Sequence, residues 1–224
     1  MICYKADGIS REEIRYCVRK LKRLVGLEYK KYFPILVFAE NILPLMIQGY
    51  QFEVVPVEEM GNKHGETYPS KNLIRIREDV YIGAADGKPR DRMTVAHEIG
   101  HLFLHENDSV ALCRLAPTDK LRAFEDPEWQ ADAFGGELLA SSYLIKGMNE
   151  LEVQISCGGF CCGCSYSVKK CSLKDSRGWL SWMKKNKRIE VLWGQQSIRF
   201  NTDMLKYPMS QSHFSISFLQ RQLL

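Results

Sequence analysis

"TVAHEIGHLFLH", residues 94–105, sets three histidines four residues apart and puts a glutamate directly after the first. On a helix, residues four apart share a face, with Cβ atoms roughly 5–6 Å apart. His97 and His101 can therefore each bring an imidazole nitrogen to about 2.0–2.1 Å from one zinc ion. His105 cannot join them. Eight residues carry it about 12 Å along the axis from His97 and some 80° around it. It is expected at the helix C-terminus, bonding free carbonyls. Glu98 points about 100° away from His97, which suits it to the water that a zinc ion activates and not to the ion itself. A carboxylate there can act as general base, taking the proton as water attacks a carbonyl and passing it to the leaving amine. Ile99 is expected to pack in the core, and Gly100 removes bulk beside the site.

With 5 His and 17 Glu in 224 residues, H-E-x-x-H arises by chance in about one such sequence in a hundred. The plain alternative is a surface helix with scattered histidines. Catalytic zinc usually takes three protein ligands plus water, so a third is needed. Position 107 is Asn, which removes the metzincin pattern, and Glu106 and Asp108 have no supporting spacing. Glu128, in the first turn of a helix capped by Asp126 and opened by Pro127, is the better candidate. Asp132 lies one turn further on the same face, placed to accept the spare N–H of a ligating imidazole. Without the histidines, Glu128 would read equally as an acid favoured by the helix dipole.

Around this centre, "SREEIRYCVRKLKRLVGL" (10–27) predicts a helix from the Ser10–Glu13 capping box. Ile14, Cys17, Val18, Leu21, Leu24 and Val25 form its apolar stripe. Arg11, Arg15, Arg19, Lys22 and Arg23 form a basic face read as solvated. A second helical segment covers 36–48, with Pro44 kinking or dividing it. "FEVVPV" (52–57) and "NLIRIRE" (72–78) read as strands, the second with one charged and one apolar face, as at a half-exposed or edge position. "AADGKPRDR" (84–92) supplies a turn before the histidine helix. Beyond Met148 the patterning weakens, and no internal repeat is present.

"RDRMTVAHEIGHLFLH" followed by "PEWQADAFGGELLAS" resembles the ImmA/IrrE family of zinc metallopeptidases. "VVPVEEMGNKHGETYPSKNLIRIREDVYIGAADG" (54–87) is similar to that family's lead-in, so the resemblance covers about residues 10–150. By position it implies metal ligands at His97, His101 and Glu128, a catalytic Glu98, and an anti-repressor role, cutting helix-turn-helix repressors of phages, mobile elements or stress regulons. Two departures stand out. Gly135 and Gly136 replace alanines common in the family, each costing up to about 1 kcal/mol in a helix interior. In the C-terminal third, "CGCSYSVKKCSLKD" (162–175) resembles a helix-turn-helix-like continuation, but "CGGFC" (157–161) before it looks inserted.

Cys157, Cys161, Cys162, Cys164 and Cys171 crowd into fifteen residues. They could hold a second, structural zinc or sense oxidants, but they lack paired C-x2-C knuckles, and the simpler reading is packing or incidental thiols. From Ser165 onward there are 11 Lys+Arg against 3 Asp+Glu, a balance that admits nucleic-acid or acidic-partner contact. With no secretory signal and no apolar run long enough for a membrane span, a cytoplasmic protein is expected.

The sequence thus predicts an α+β, zincin-like domain over residues 1–150, its small mixed sheet packed on the 91–105 helix. A Cys-rich, basic appendage of uncertain fold follows over 151–224. The expected activity is a zinc endopeptidase with one catalytic Zn2+ and a helix-turn-helix repressor as protein substrate. The rival is a non-catalytic zinc-containing regulator that binds a repressor or DNA. Tyr81, His64 and His105 remain open as oxyanion donors, and the 72–78 strand is expected to offer an edge to a substrate backbone.

Overall fold

A computed structural model describes residues 5–105 and 122–158. Helix α1 (Arg11–Leu24) begins with the expected reciprocal cap: Ser10 Oγ accepts from the Glu13 N–H and the Glu13 carboxylate accepts from the Ser10 N–H. Ile14, Cys17, Val18 and Leu21 are buried along its stripe, while Leu24 is only half-buried. Lys22 corrects the reading of a solvated basic face, because it is fully buried. Its stem runs under the core while its ammonium donates to Ser141 Oγ (2.9 Å) and the Lys30 carbonyl (3.2 Å).

The second helical segment is divided, as Pro44 predicts. α2 (Ile35–Val37) passes into a π turn over Phe38–Ile42 and then into α3 (Leu43–Met46). Pro44 has no N–H to return to the preceding turn, and the wider π turn directly before it absorbs the misfit.

β1 (Gln51–Val55) stops short of the predicted Val57, because Pro56 ends the ladder and Val57 opens α4 (Val57–Met60). β2 (Gly65–Tyr68), which the sequence reading missed, and β3 (Leu73–Arg77) complete a mixed sheet in the order β1-β3-β2. β1 runs parallel and β2 antiparallel to β3. β3 is therefore the central strand and not an edge. Its charged face is tolerated there because Arg75 stands in register with Glu53 on one neighbour and Glu66 on the other, and bonds both. On the opposite face Ile74 and Ile76 are fully buried.

After β3 comes α5 (Glu78–Ala85), also unforeseen, and then a turn through Gly87 at φ +81°. Pro89 starts α6 (Pro89–Leu104), the histidine helix, whose Val95, Ala96, Ile99 and Leu102 are fully buried. α7 (Pro127–Leu139) is capped by Asp126, which accepts the Glu128 N–H at 3.0 Å. α6 and α7 approach closely at two glycines. A Cβ at Gly100 would stand 3.0 Å from the Ala131 Cα and carbonyl oxygen, and one at Gly135 would stand 3.1 Å from the His97 backbone nitrogen. Whatever Gly135 loses in helix propensity is set against this approach. Two residues of the α1 basic face also turn onto α7: Arg11 lies 5.3 Å over the Trp129 ring and Arg15 lies 3.6 Å from buried Glu137.

α8 (Glu150–Cys157) follows beyond Met148, where the sequence was read as weakly patterned. Its start is an Asn149–Glu152 capping box, and Val153 and Cys157 pack with Ala140 and Ile145 in a small second cluster. The architecture is α+β, with a small mixed sheet and several helices, as predicted. No helix among the described residues is long and apolar enough to cross a membrane. Cys161, Cys162, Cys164, Cys171, the helix-turn-helix-like stretch 162–175, the basic tail, Glu106 and Asp108 lie outside the described residues.

Candidate metal centre

α6 turns His97 and His101 toward the first turn of α7. Their Nε2 atoms stand 2.9 Å apart, with Glu128 carboxylate oxygens 3.2 Å from His97 Nε2 and 3.5 Å from His101 Nε2. One ligand atom from each of the three residues lies within 4.8 Å of the others. Two imidazoles and a carboxylate, all offering lone pairs to one point, form a donor set that suits zinc with a fourth position left open. Burial works against the His97 imidazolium, but hydrogen bonds to Asp132 and Glu128 outweigh it and hold its pKa up at about 10.

Each imidazole is fixed from behind. Asp132 Oδ1 lies 2.8 Å from His97 Nδ1 and accepts its N–H, leaving Nε2 to face Glu128. His101 Nδ1 lies 3.0 Å from His105 Nδ1, and His105 Nε2 lies 2.9 Å from Gln130 Oε1. His105 is the C-cap of α6, as expected, but its side chain serves His101 and Gln130 rather than free carbonyls. Burial pushes its pKa down to about 4. Gln130 was missed in the sequence. The signal was available, since it falls on one stripe with Phe134 and Leu138, and all three are fully buried.

Glu98 is buried against β2. Thr67 Oγ1 donates to Glu98 Oε2 at 2.6 Å, and Gly65 leaves room for the glutamate stem, since a Cβ there would stand 2.8 Å from Glu98 Cγ. Desolvation raises the Glu98 pKa, against the opposing hydrogen bond from Thr67. Thr67 had no signal in the sequence, because β2 itself was not read.

The three residues considered for the oxyanion have separate fates. The Tyr81 hydroxyl donates to Glu40 at 2.7 Å, and both His105 nitrogens are engaged. His64 lies on the surface beside Gly65, with its Nε2 2.7 Å from an Arg90 guanidinium nitrogen.

A family model, Peptidase_M78, described as the IrrE N-terminal-like domain, matches residues 32–152, more than half of the chain. The match runs from α2 into α8 and includes His97, Glu98, His101, Glu128 and Asp132. No curated protein and no solved structure matches the chain.

Proposed function

The chain belongs to the Peptidase_M78 family of IrrE N-terminal-like domains, and from that premise we propose that it is a zinc-dependent endopeptidase acting on a helix-turn-helix transcriptional repressor. The family carries a metallopeptidase-type function. The observation that carries the finer reading is the convergence of His97, His101 and Glu128 beside a buried, hydrogen-bonded Glu98. When bound, zinc supplies Lewis acidity, polarising the scissile carbonyl and acidifying water. His97, His101 and Glu128 would hold it.

The protein's own groups do the rest. Glu98 Oε2 is occupied by Thr67, so Oε1 is the atom that takes the proton from the attacking water and returns it to the leaving nitrogen. Burial raises the Glu98 pKa, which makes its carboxylate a stronger base for taking that proton. β3 is central and offers no edge. β2 carries Thr67 and Gly65 against Glu98 and pairs with β3 alone among the described residues. Its outer edge is therefore the place for an extended substrate backbone to pair. The repressor as substrate rests on the family resemblance.

The test is co-expression with a panel of helix-turn-helix repressors and a mass-spectrometric search for new termini, for wild type and E98Q, with metal content measured on both. Cleavage by the wild type, abolished in E98Q with zinc retained, is expected. Repressor capture by both proteins with no cleavage by either would move the reading to a zinc-containing binding regulator.

A further inference from the structure

We propose that His105 and Gln130 are positioning residues, joined in a hydrogen-bond relay that fixes which nitrogen of His101 carries its proton. The inference rests on the reading of His97, His101 and Glu128 as metal ligands, and it gives His105 and Gln130 a role beside them.

The relay can be read from its far end, where the chemistry allows one assignment. Gln130 Nε2 lies 2.8 Å from the Asp7 carbonyl oxygen and 2.7 Å from the Phe124 carbonyl oxygen. Carbonyls only accept, so both amide hydrogens are used there. Turning the amide over would set its oxygen against two others. Gln130 Oε1 must then face His105, and it too only accepts. His105 Nε2, at 2.9 Å, is therefore the donor.

A ring with one proton has its lone pair on the other nitrogen. His105 Nδ1 accepts, and the group 3.0 Å away must donate, which is His101 Nδ1–H. His101 Nε2 is then left with a lone pair, and it is the nitrogen facing His97 and Glu128.

The assignment matters because an unconstrained histidine in water favours the opposite tautomer, with the proton on Nε2. That proton would point into the metal position. Asp132 does the same work for His97 through a carboxylate. The two ligands are thus prepared by different means, one charged and half in solvent, the other neutral and enclosed. The neutral device is the more demanding in position, since Gln130 is fully buried and ties the end of α6 to the segments before α1 and before α7.

The experiment begins with the metal-free full chain. Long-range 15N correlation of the imidazoles, at a pH where the His101 ring is neutral, reports its tautomer without any activity. Zinc affinity is then measured by chelator competition for wild type, H105F and H105Q. Phenylalanine keeps bulk and removes the acceptor, while glutamine restores one.

The relay requires His101 to be the Nδ1–H tautomer in the wild type and a mixture in H105F. Zinc affinity should fall roughly 10–100-fold in H105F, as for other partners of metal-bound imidazoles, and recover most of that loss in H105Q. An Nε2–H ring in the wild type overturns the proposal even if H105F fails to fold. So does an H105F that keeps both the tautomer and, within twofold, the affinity. A wild type with the Nδ1–H ring that takes up no zinc would uphold the relay and remove the metal reading instead.

Discussion

Thr67 Oγ1 stands 2.6 Å from Glu98 Oε2 and 3.1 Å from the Glu98 backbone oxygen, so a single hydroxyl on β2 locks the side chain that follows His97. Hydrogen bonds to charged groups contribute about 1.5–3 kcal/mol. T67V keeps the shape and removes the donor. It is expected to lower kcat about 10-fold or more, with KM and zinc content unchanged, and T67S should restore most of the loss. Steady-state kinetics on a cleaved peptide would decide. A T67V enzyme within twofold of wild-type kcat would show that packing alone holds Glu98.

The raised His97 pKa gives metal binding a proton cost. At pH 7.5 a group titrating at about 10 is protonated, and zinc must displace that proton to reach Nε2. Calorimetry in buffers of different ionisation heat should find about one proton released per zinc from this group, with affinity falling about tenfold per unit drop in pH. In the metal-free protein the sign for stability is the reverse. A folded pKa above the ordinary 6.5 contributes stability that is complete below 6.5 and is lost as pH rises toward 10. D132A removes a main cause of the shift and should release fewer protons while binding zinc more weakly. Proton release near zero in the wild type would mean that His97 is already neutral.

The sequence made the centre legible where periodicity and short-range chemistry coincide. The spacing of His97 and His101 and the Asp126-Pro127 start before Glu128 are local signals, and the structure brings these residues together. The parts that stayed hidden depend on pairing at a distance. β2 is a four-residue strand with Gly65 at its head, and only its partner β3 makes it a strand, so Thr67 could not be found. For the same reason the edge position allowed for β3 fails, and the half-exposed one holds, because the carboxylates that balance Arg75 come from strands on either side. His105 stands outside the group of His97, His101 and Glu128, and its partner Gln130 lies on another helix.

Gly100 sets the spacing of α6 and α7. A methyl group there would lie 3.0 Å from the Ala131 Cα and carbonyl oxygen, which are backbone atoms with no rotamer to change. G100A gains up to about 1 kcal/mol of helix propensity but forces α7 away from α6, at a typical overpacking cost of about 1–3 kcal/mol. The expected net effect is a loss of stability of about 1 kcal/mol in urea unfolding, together with weaker zinc retention as Glu128 moves off with α7. A G100A protein more stable than wild type, with unchanged zinc affinity, would show that the helices separate freely.

Lys22 offers a test of the core. Burial pulls its pKa down to about 8 from 10.5, against the opposing pull of Glu137 and Cys157. Between those two pH values the unfolded chain holds more protons than the folded one, so this group makes stability rise with pH across the window. Its burial costs most below pH 8, and that cost fades toward 10.5. Buried thiols act in the other direction, since burial raises the pKa of Cys17 to about 12 and unfolding frees it to ionise. Comparison with K22M cancels the Cys17 contribution. From pH 7.5 to 9.5 the wild type should gain about 2 kcal/mol relative to K22M in urea unfolding. Parallel pH profiles for the two proteins would mean that Lys22 keeps an ordinary pKa, and that its contacts with Ser141 and Lys30 repay the whole desolvation of the ammonium.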